Sequence, residues 1–153
     1  MGTHHKGSPE EIAALNSFIK FVRAYESISL YLYNKLSKDR LTISQFYLLD
    51  ALYHLGPLNQ KVLGAKTSRS EGNITMVVNN LAKRKLIKKK QSGDDKRIYI
   101  IKLKKEGKKL YEKVFPKFHK TVMSEFGVIT EKEHENFQKI CKKIGKNFEI
   151  LNS

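Results

Sequence analysis

The chain has 153 residues, 40% apolar and 29% charged, which suits one soluble folded domain with a core and excludes a disordered composition. Thirty Lys/Arg against fifteen Asp/Glu give a formal charge of +15 and a pI near 9.8, a surplus that asks for a polyanionic partner: DNA, RNA or an anionic membrane. No apolar run approaches the roughly 20 residues of a membrane helix, the polar start MGTHHKGSPE is no secretory signal, and a single cysteine, Cys141, excludes an internal disulfide framework and fits a reducing cytoplasm.

Residues 1–8 read as a flexible polar tail, and 9–153 as one domain. From Glu10 to Leu36 the spacing predicts a long helix with Pro9 at its start, where a missing N–H costs nothing. Leu15, Phe18, Val22, Tyr25, Ser29, Leu32 and Leu36 alternate in steps of three and four, a seam for packing on other helices, one of which can belong to another subunit. Lys38-Asp39-Arg40 breaks the pattern. Thr42, with Gln45 three residues on, then predicts a capped second helix whose Ile43, Phe46, Leu49 and Leu52 face inward and which ends at Gly56-Pro57. Leu58 to Ala65 reads as a short third helix with Val62 and Leu63 in the core.

Thr67 and Ser68 then read as the cap of a fourth helix, RSEGNITMVVNNLAKRK. Its Ile74, Val77, Val78 and Leu81 make one apolar stripe, and the opposite side carries Arg69, Asn73, Met76, Asn80 and Lys83. Amide and basic side chains on a helix with a narrow apolar back suit a DNA major groove, where Asn and Arg form paired hydrogen bonds with base edges. A short helix, a turn and a polar-faced basic helix make a helix-turn-helix.

After Leu86 the period changes from 3.6 to 2. Two β-prone runs, Leu86–Gln91 and Arg97–Leu103, flank Ser92-Gly93-Asp94-Asp95 and predict a basic hairpin, a wing. Between Leu58 and Leu110 there are sixteen Lys/Arg and four Asp/Glu, a local +12 that holds most of the surplus. Lys104 to Phe126 returns to helix, with Leu110, Val114, Phe118 and Val122 on one side and a kink expected at Pro116. Thr130 and Glu133 form a capping-box pattern for a last helix striped by Phe137, Ile140, Cys141, Ile144, Phe148 and Leu151.

In Thr42-Ile43-Ser44-Gln45-Phe46, in Gly72-Asn73-Ile74-Thr75 through Leu81-Ala82-Lys83-Arg84-Lys85-Leu86-Ile87, in the wing Asp95-Lys96-Arg97 and in Leu103-Lys104-Lys105-Glu106-Gly107, the chain resembles the MarR family of bacterial winged-helix transcription regulators. The likeness covers most of the chain. Lys104 stands where Thr is usual, Lys85 where Gly is usual, Asn79 where Asp is common and Met76 where Arg is common. The resemblance implies a mainly α fold, α+β by the wing: a winged helix-turn-helix lobe over about 41–110 and dimerisation helices over about 9–37 and 111–151. It implies a cytoplasmic homodimer that binds double-stranded DNA, with recognition helices in successive major grooves and wings in the minor grooves. Two-fold symmetry then predicts an inverted-repeat operator. Helical angle makes Arg69, Asn73 and Met76 the base-edge candidates and Ser68, Ser70, Thr75 and Asn80 the phosphate candidates. Arg97 is the minor-groove finger, held by Asp95, and Lys88, Lys89, Lys90 and Lys96 add attraction to the backbone.

Members of the family often bind a small aromatic or phenolic effector between the dimerisation helices and the DNA-binding lobe. Phe21, Tyr25, Phe46, Tyr47, His54, Phe115 and Phe118 could line such a cavity, although each is also at ordinary core spacing. The family's thiol sensors carry their reactive cysteine in the first helix, where this chain has none. Cys141 on an apolar stripe reads as packing, and a redox role for it stands as the alternative. A second alternative is an architectural nucleic-acid binder without sequence preference. No Gly-rich phosphate loop and no HExxH occurs, so neither a catalytic site, a cofactor site nor a metal site is expected, and the charge lies on a wing rather than on a membrane-surface helix.

Overall fold

A computed structural model describes residues 2–67, 71–93 and 97–151. Among them are six helices and one three-stranded antiparallel sheet, a mainly helical winged-helix architecture. The chain falls into two compact units, 1–118 and 119–153.

In the first unit, helix α1 (Pro9–Ser37) opens on Ser8, whose Oγ accepts from the Glu11 N–H while the Glu11 carboxylate accepts from the Ser8 N–H. That reciprocal cap starts the helix one residue earlier than the periodicity does. The preceding tail folds back, with the Thr3 N–H donating to Asn16 Oδ1 at 2.7 Å. At the far end the Leu41 N–H reaches the Leu36 carbonyl and the Arg40 N–H that of Ser37, which puts Arg40 at φ 56°. Of the α1 seam only Leu32 and Leu36 are buried, whereas Leu15, Phe18 and Tyr25 are exposed.

Helix α2 (Ile43–Leu55) has the expected Thr42/Gln45 box and ends at Gly56, whose φ of 77° is open to glycine. The reading of Leu58–Ala65 as one helix is corrected. Leu58–Asn59 is a strand, β1, and Asn59 Oδ1 accepts from the Val62 N–H to start α3 (Gln60–Lys66) two residues late. Leu63 is fully buried, but Val62 is 38% exposed, because a seven-residue helix turns one narrow side inward. The Thr67 hydroxyl donates back to the Leu63 and Gly64 carbonyls and closes α3, while the cap expected of Thr67 and Ser68 for the next helix would bond N–H groups within 68–70, outside the described residues.

Helix α4 (Glu71–Lys83) buries Ile74, Val77, Val78 and Leu81, as the stripe predicts. It ends with the Leu86 N–H on the Leu81 carbonyl and the Lys85 N–H on that of Ala82, which forces Lys85 to φ 58° where glycine is usual. A lysine there costs roughly 1 kcal/mol of backbone strain. Strands β2 (Ile87–Gln91) and β3 (Tyr99–Leu103) form the wing, with β3 in the centre of the order β1-β3-β2. Leu58 pairs with Ile101, which ties β1 to the hairpin.

Helix α5 (Lys105–Phe126) begins against the wing. The Lys104 N–H donates to the Leu86 carbonyl, and at Gly107 any Cβ would run into that same oxygen, so the glycine is a packing requirement. The helix continues through Pro116. Tyr111, which the apolar pattern passes over, is buried and donates to Asp50 Oδ1 at 2.5 Å, with His54 Nε2 3.0 Å from its phenol oxygen. Burial and the Asp50 bond hold the Tyr111 phenol far above its ordinary range, so it stays protonated.

Asp39 joins the α1–α2 connection to α5 through Lys113 at 2.6 Å and Lys117 at 3.0 Å. Its side chain is 5% exposed, and the Lys113 bond first, opposed by burial, lowers its pKa. Stability from this carboxylate is therefore present above its unfolded value near 3.8 and lost as pH falls through the lower folded value. Because both lysine ends reach solvent, Asp39→Asn is expected to cost only about 1 kcal/mol at pH 7. Chemical unfolding at pH 7 and pH 3 checks this: the gap between wild type and variant narrows at the lower pH.

In the second unit, α6 (Glu131–Leu151) starts on Thr130, whose hydroxyl and N–H both donate to Glu133 Oε2. Those bonds, the backbone one first, lower the Glu133 pKa. Phe126 and Phe137 pack ring to ring at 6.1 Å. Phe137, Ile140 and Ile144 are exposed and Cys141 is half-buried, while Phe148 and Leu151 lie outside the residues whose side chains are described.

Candidate nucleic-acid interface

Helix α4 has two unlike faces. Its apolar stripe is seated on the α2–α3 core, and Met76, Asn79, Asn80 and Lys83 face outward, Met76 with 58% of its surface exposed. Asn73 and Thr75 are half-buried at the edges. The Thr75 hydroxyl accepts from Gln60 Nε2 at 2.8 Å, which fixes α3 against α4. Gln60 Oε1 is buried without a partner. Ser68, Arg69 and Ser70 lie outside the described residues.

The sheet register separates the wing lysines. Ile87, Lys89 and Gln91 share the inward face with Leu103, Ile101 and Tyr99, and Lys89 Nζ lies 4.0 Å from the centre of the Tyr99 ring. Lys88 and Lys90 point the other way. Lys88 stands directly opposite Lys102, so the outer face of the wing juxtaposes like charges. Such a pair destabilises an isolated hairpin by up to about 1 kcal/mol, and a polyanion laid along that face would relieve it. Lys102 is the residue the sequence pattern leaves out, because only pairing across strands brings it beside Lys88.

Arg97 is exposed just before β3, and Asp95 and Lys96 lie outside the described residues. A cavity of about 360 Å³ is lined by Asn59, Gln60 and Lys61, by Ile74 and Thr75 of α4 and by Arg97, Ile98 and Tyr99. The base of the wing and the α4 helix thus border the same space, which the linear sequence does not reveal.

The seven aromatic-site candidates divide. Phe46 is buried, and Phe115 and Phe118 pack on the core around it, Phe46 and Phe118 at 4.4 Å between ring centres. Tyr47 lies edge-on to Phe118, and His54 is bonded to Tyr111. Phe21 and Tyr25 are exposed on α1. Among the described residues no cluster of His, Cys, Asp and Glu could hold a metal ion, and no helix is long and apolar enough to cross a membrane.

The sequence model of the MarR family matches residues 41–99. The HTH-type transcriptional regulator MhqR of Bacillus subtilis is 30% identical over 134 residues, covering 88% of this chain and 92% of MhqR. Among solved structures, BpsR of Bordetella bronchiseptica, whose DNA binding is regulated by 6-hydroxynicotinic acid, superposes with a TM-score of 0.76 at 22% identity over 84% of this chain and 98% of its own. Sco3205 of Streptomyces coelicolor, a MarR family regulator solved in complex with DNA, gives 0.84 at 15% identity over 95% of this chain and 92% of its own.

Proposed function

The chain belongs to the MarR family of winged-helix transcriptional regulators, and from that premise we propose that it is a cytoplasmic, homodimeric repressor that binds an inverted-repeat operator. Its relatives are regulators and not enzymes. The observation that carries the proposal is the division of α4 into a buried apolar back and an open face bearing Met76, Asn79, Asn80 and Lys83. On this reading the winged-helix lobe spans about 41–110. Arg69, Asn73 and Met76 meet base edges, and Ser68, Ser70, Thr75 and Asn80 bond phosphates. Met76 cannot donate to guanine but can contact a thymine methyl. Lys88, Lys90 and Lys102 attract the backbone, joined by Lys96 and, at shorter reach, by Lys89, and Arg97 with Asp95 as its positioning partner is assigned to the minor groove.

The exposed apolar residues of α1 and α6 support the dimer, since faces with this much apolar side chain in water call for a partner. A second copy places two recognition helices about one helical turn apart. The test is selection of bound duplexes from a random pool. An inverted repeat is expected; enrichment of nothing beyond general affinity would favour an architectural binder instead. Repeating the selection with small aromatic acids tests release by an effector near Phe21, Tyr25, Phe46, Tyr47, His54, Phe115 and Phe118, a reading supported by the regulation of BpsR by 6-hydroxynicotinic acid.

Arg97→Ala is expected to weaken binding to the selected duplex by about 1–3 kcal/mol, with little change in melting temperature because the side chain is exposed. A fluorescence-anisotropy titration reads this, and unchanged affinity removes the finger role.

A further inference from the structure

Helix α5 carries a second basic feature. Lys105, Lys109, Lys113 and Lys117 follow one another at four-residue steps, and all four are exposed. Each step advances about 6 Å and turns about 40°, so the four make a slowly winding row about 18 Å long. The row begins where the wing ends. The Lys104 N–H donates to the Leu86 carbonyl and Gly107 lets α5 close on that oxygen, while Lys102 of β3, exposed, lies three residues before Lys105. At the other end Asp39 ties the α1–α2 connection to Lys113 and Lys117, next to the exposed Lys38.

Ordinary solvation of a helix does not account for this row. Elsewhere the chain pairs opposite charges at four-residue spacing, as in Lys108–Glu112 and Glu135–Lys139. Along the row each lysine instead has another lysine four residues on, an arrangement that destabilises a helix. Lys105 also stands in the first turn, at the positive end of the helix dipole, where a cation is disfavoured. Among the described residues Lys105 and Lys109 make no ion pair, and one carboxylate, Asp39, is shared between Lys113 and Lys117. Six lysines, the four of the row with Lys38 and Lys102, stand against two carboxylates, Asp39 and the exposed Glu106. A compact anion would meet one or two of these cations. A phosphodiester strand, advancing about 3.4 Å per nucleotide, would meet the whole row over about five base pairs.

We propose that the row is a rail for the duplex that continues past the wing. DNA on either side of the half-sites curves toward α5, and its phosphates lie along Lys105, Lys109, Lys113 and Lys117. Lys113 and Lys117 divide their charge between phosphate and Asp39, so Lys105 and Lys109 supply most of the attraction. Bending the flank has an elastic cost that depends on its sequence and is offset by the contacts the bend permits. The rail therefore lengthens the footprint and favours flexible flanks at positions no side chain reads. This rests on the regulator reading above.

The experiment compares two duplexes that share the selected inverted repeat, a short one ending just past the wing contacts and a long one extended by about one helical turn on each side. The full chain is titrated as wild type, as Lys105→Gln/Lys109→Gln and as Lys6→Gln/Lys20→Gln, which removes the same charge from exposed positions elsewhere. Unchanged melting temperatures show that both variants are folded. Wild type is expected to bind the long duplex about tenfold tighter than the short one, with a log–log salt slope steeper by about two for each copy bound. Lys105→Gln/Lys109→Gln should lose that advantage and keep its affinity for the short duplex, and Lys6→Gln/Lys20→Gln should retain both. Equal binding of the two duplexes by wild type overturns the proposal and leaves the row to an acidic protein partner. An advantage kept by the row variant, or lost equally by the control, also overturns it, since the flank is then not held by α5 or responds only to net charge. So does a row variant weakened equally on both duplexes, because its lysines then act inside the short footprint. If a random pool enriches no sequence, the regulator reading fails. The same lengths of random duplex then test the rail alone, and a loss on the long duplex confined to the row variant upholds it.

Discussion

Raising salt from about 50 to about 200 mM is expected to weaken duplex binding on the order of 10⁴-fold. Each phosphate neutralised by Lys or Arg releases condensed counterion, so the logarithm of affinity falls in proportion to the number of such contacts. Lys88, Lys90, Lys102 and Arg97 stand exposed on or beside the wing of one copy. On the proposed dimer, two copies would engage about eight phosphates, for a log–log slope near −7. Anisotropy titrations at four or five salt concentrations measure that slope. A nearly flat line would mean that the +15 charge is not used on nucleic acid. Lys102→Gln should flatten the slope by about one for each copy bound, whereas Lys89→Gln should flatten it less, because Lys89 lies over the Tyr99 ring.

The second large effect concerns the packing that supports α4. Leu81→Ala should destabilise the fold by about 2–5 kcal/mol, since the side chain is fully buried among the α2, α3 and α4 core residues and its removal leaves a cavity. Met76→Ala, five residues earlier on the open face, should change stability by less than about 0.5 kcal/mol. Urea unfolding at a fixed protein concentration separates the two, a precaution needed because a dimer's stability depends on concentration. Comparable losses at both positions would mean that the outward face of α4 is packed and unavailable to DNA.

Much of this arrangement is legible in the sequence where a local signal has one physical solution. The Ile74/Val77/Val78/Leu81 stripe can bury only one side of a helix, and Thr42 with Gln45, or Thr130 with Glu133, can satisfy helix-start N–H groups only in the way observed. The errors fall where a residue has two local options. Val62 could point inward or outward, and the seven-residue α3 turns only one narrow side, that of Leu63, to the core. Leu58–Asn59 is too short to show a period, and its pairing with β3 across some forty residues makes it a strand. Tyr111 is hidden because its burial depends on an acceptor at Asp50 on another helix. In the interface, helical angle finds Met76 and Asn80. The distinction between Lys89 and Lys88, and the partnership of Lys88 with Lys102, come only from strand register.

The α4 helix and Gly107 also account physically for two of the motifs that mark the resemblance. Gly107 is required by the approach of α5 to the Leu86 carbonyl. Lys85, by contrast, keeps the αL helix end without the glycine, and its side chain adds a cation at the end of α4 in return for strain.

On the regulator reading the open face of α4 meets base edges, and random-pool selection repeated with Met76→Arg decides whether it does. If α4 lies in the major groove, the enriched sequences keep their inverted repeat and change at one symmetric pair of base positions, toward guanine, which Arg binds through paired hydrogen bonds and Met cannot. An unchanged preference in the variant, alongside unchanged folding, would contradict the account.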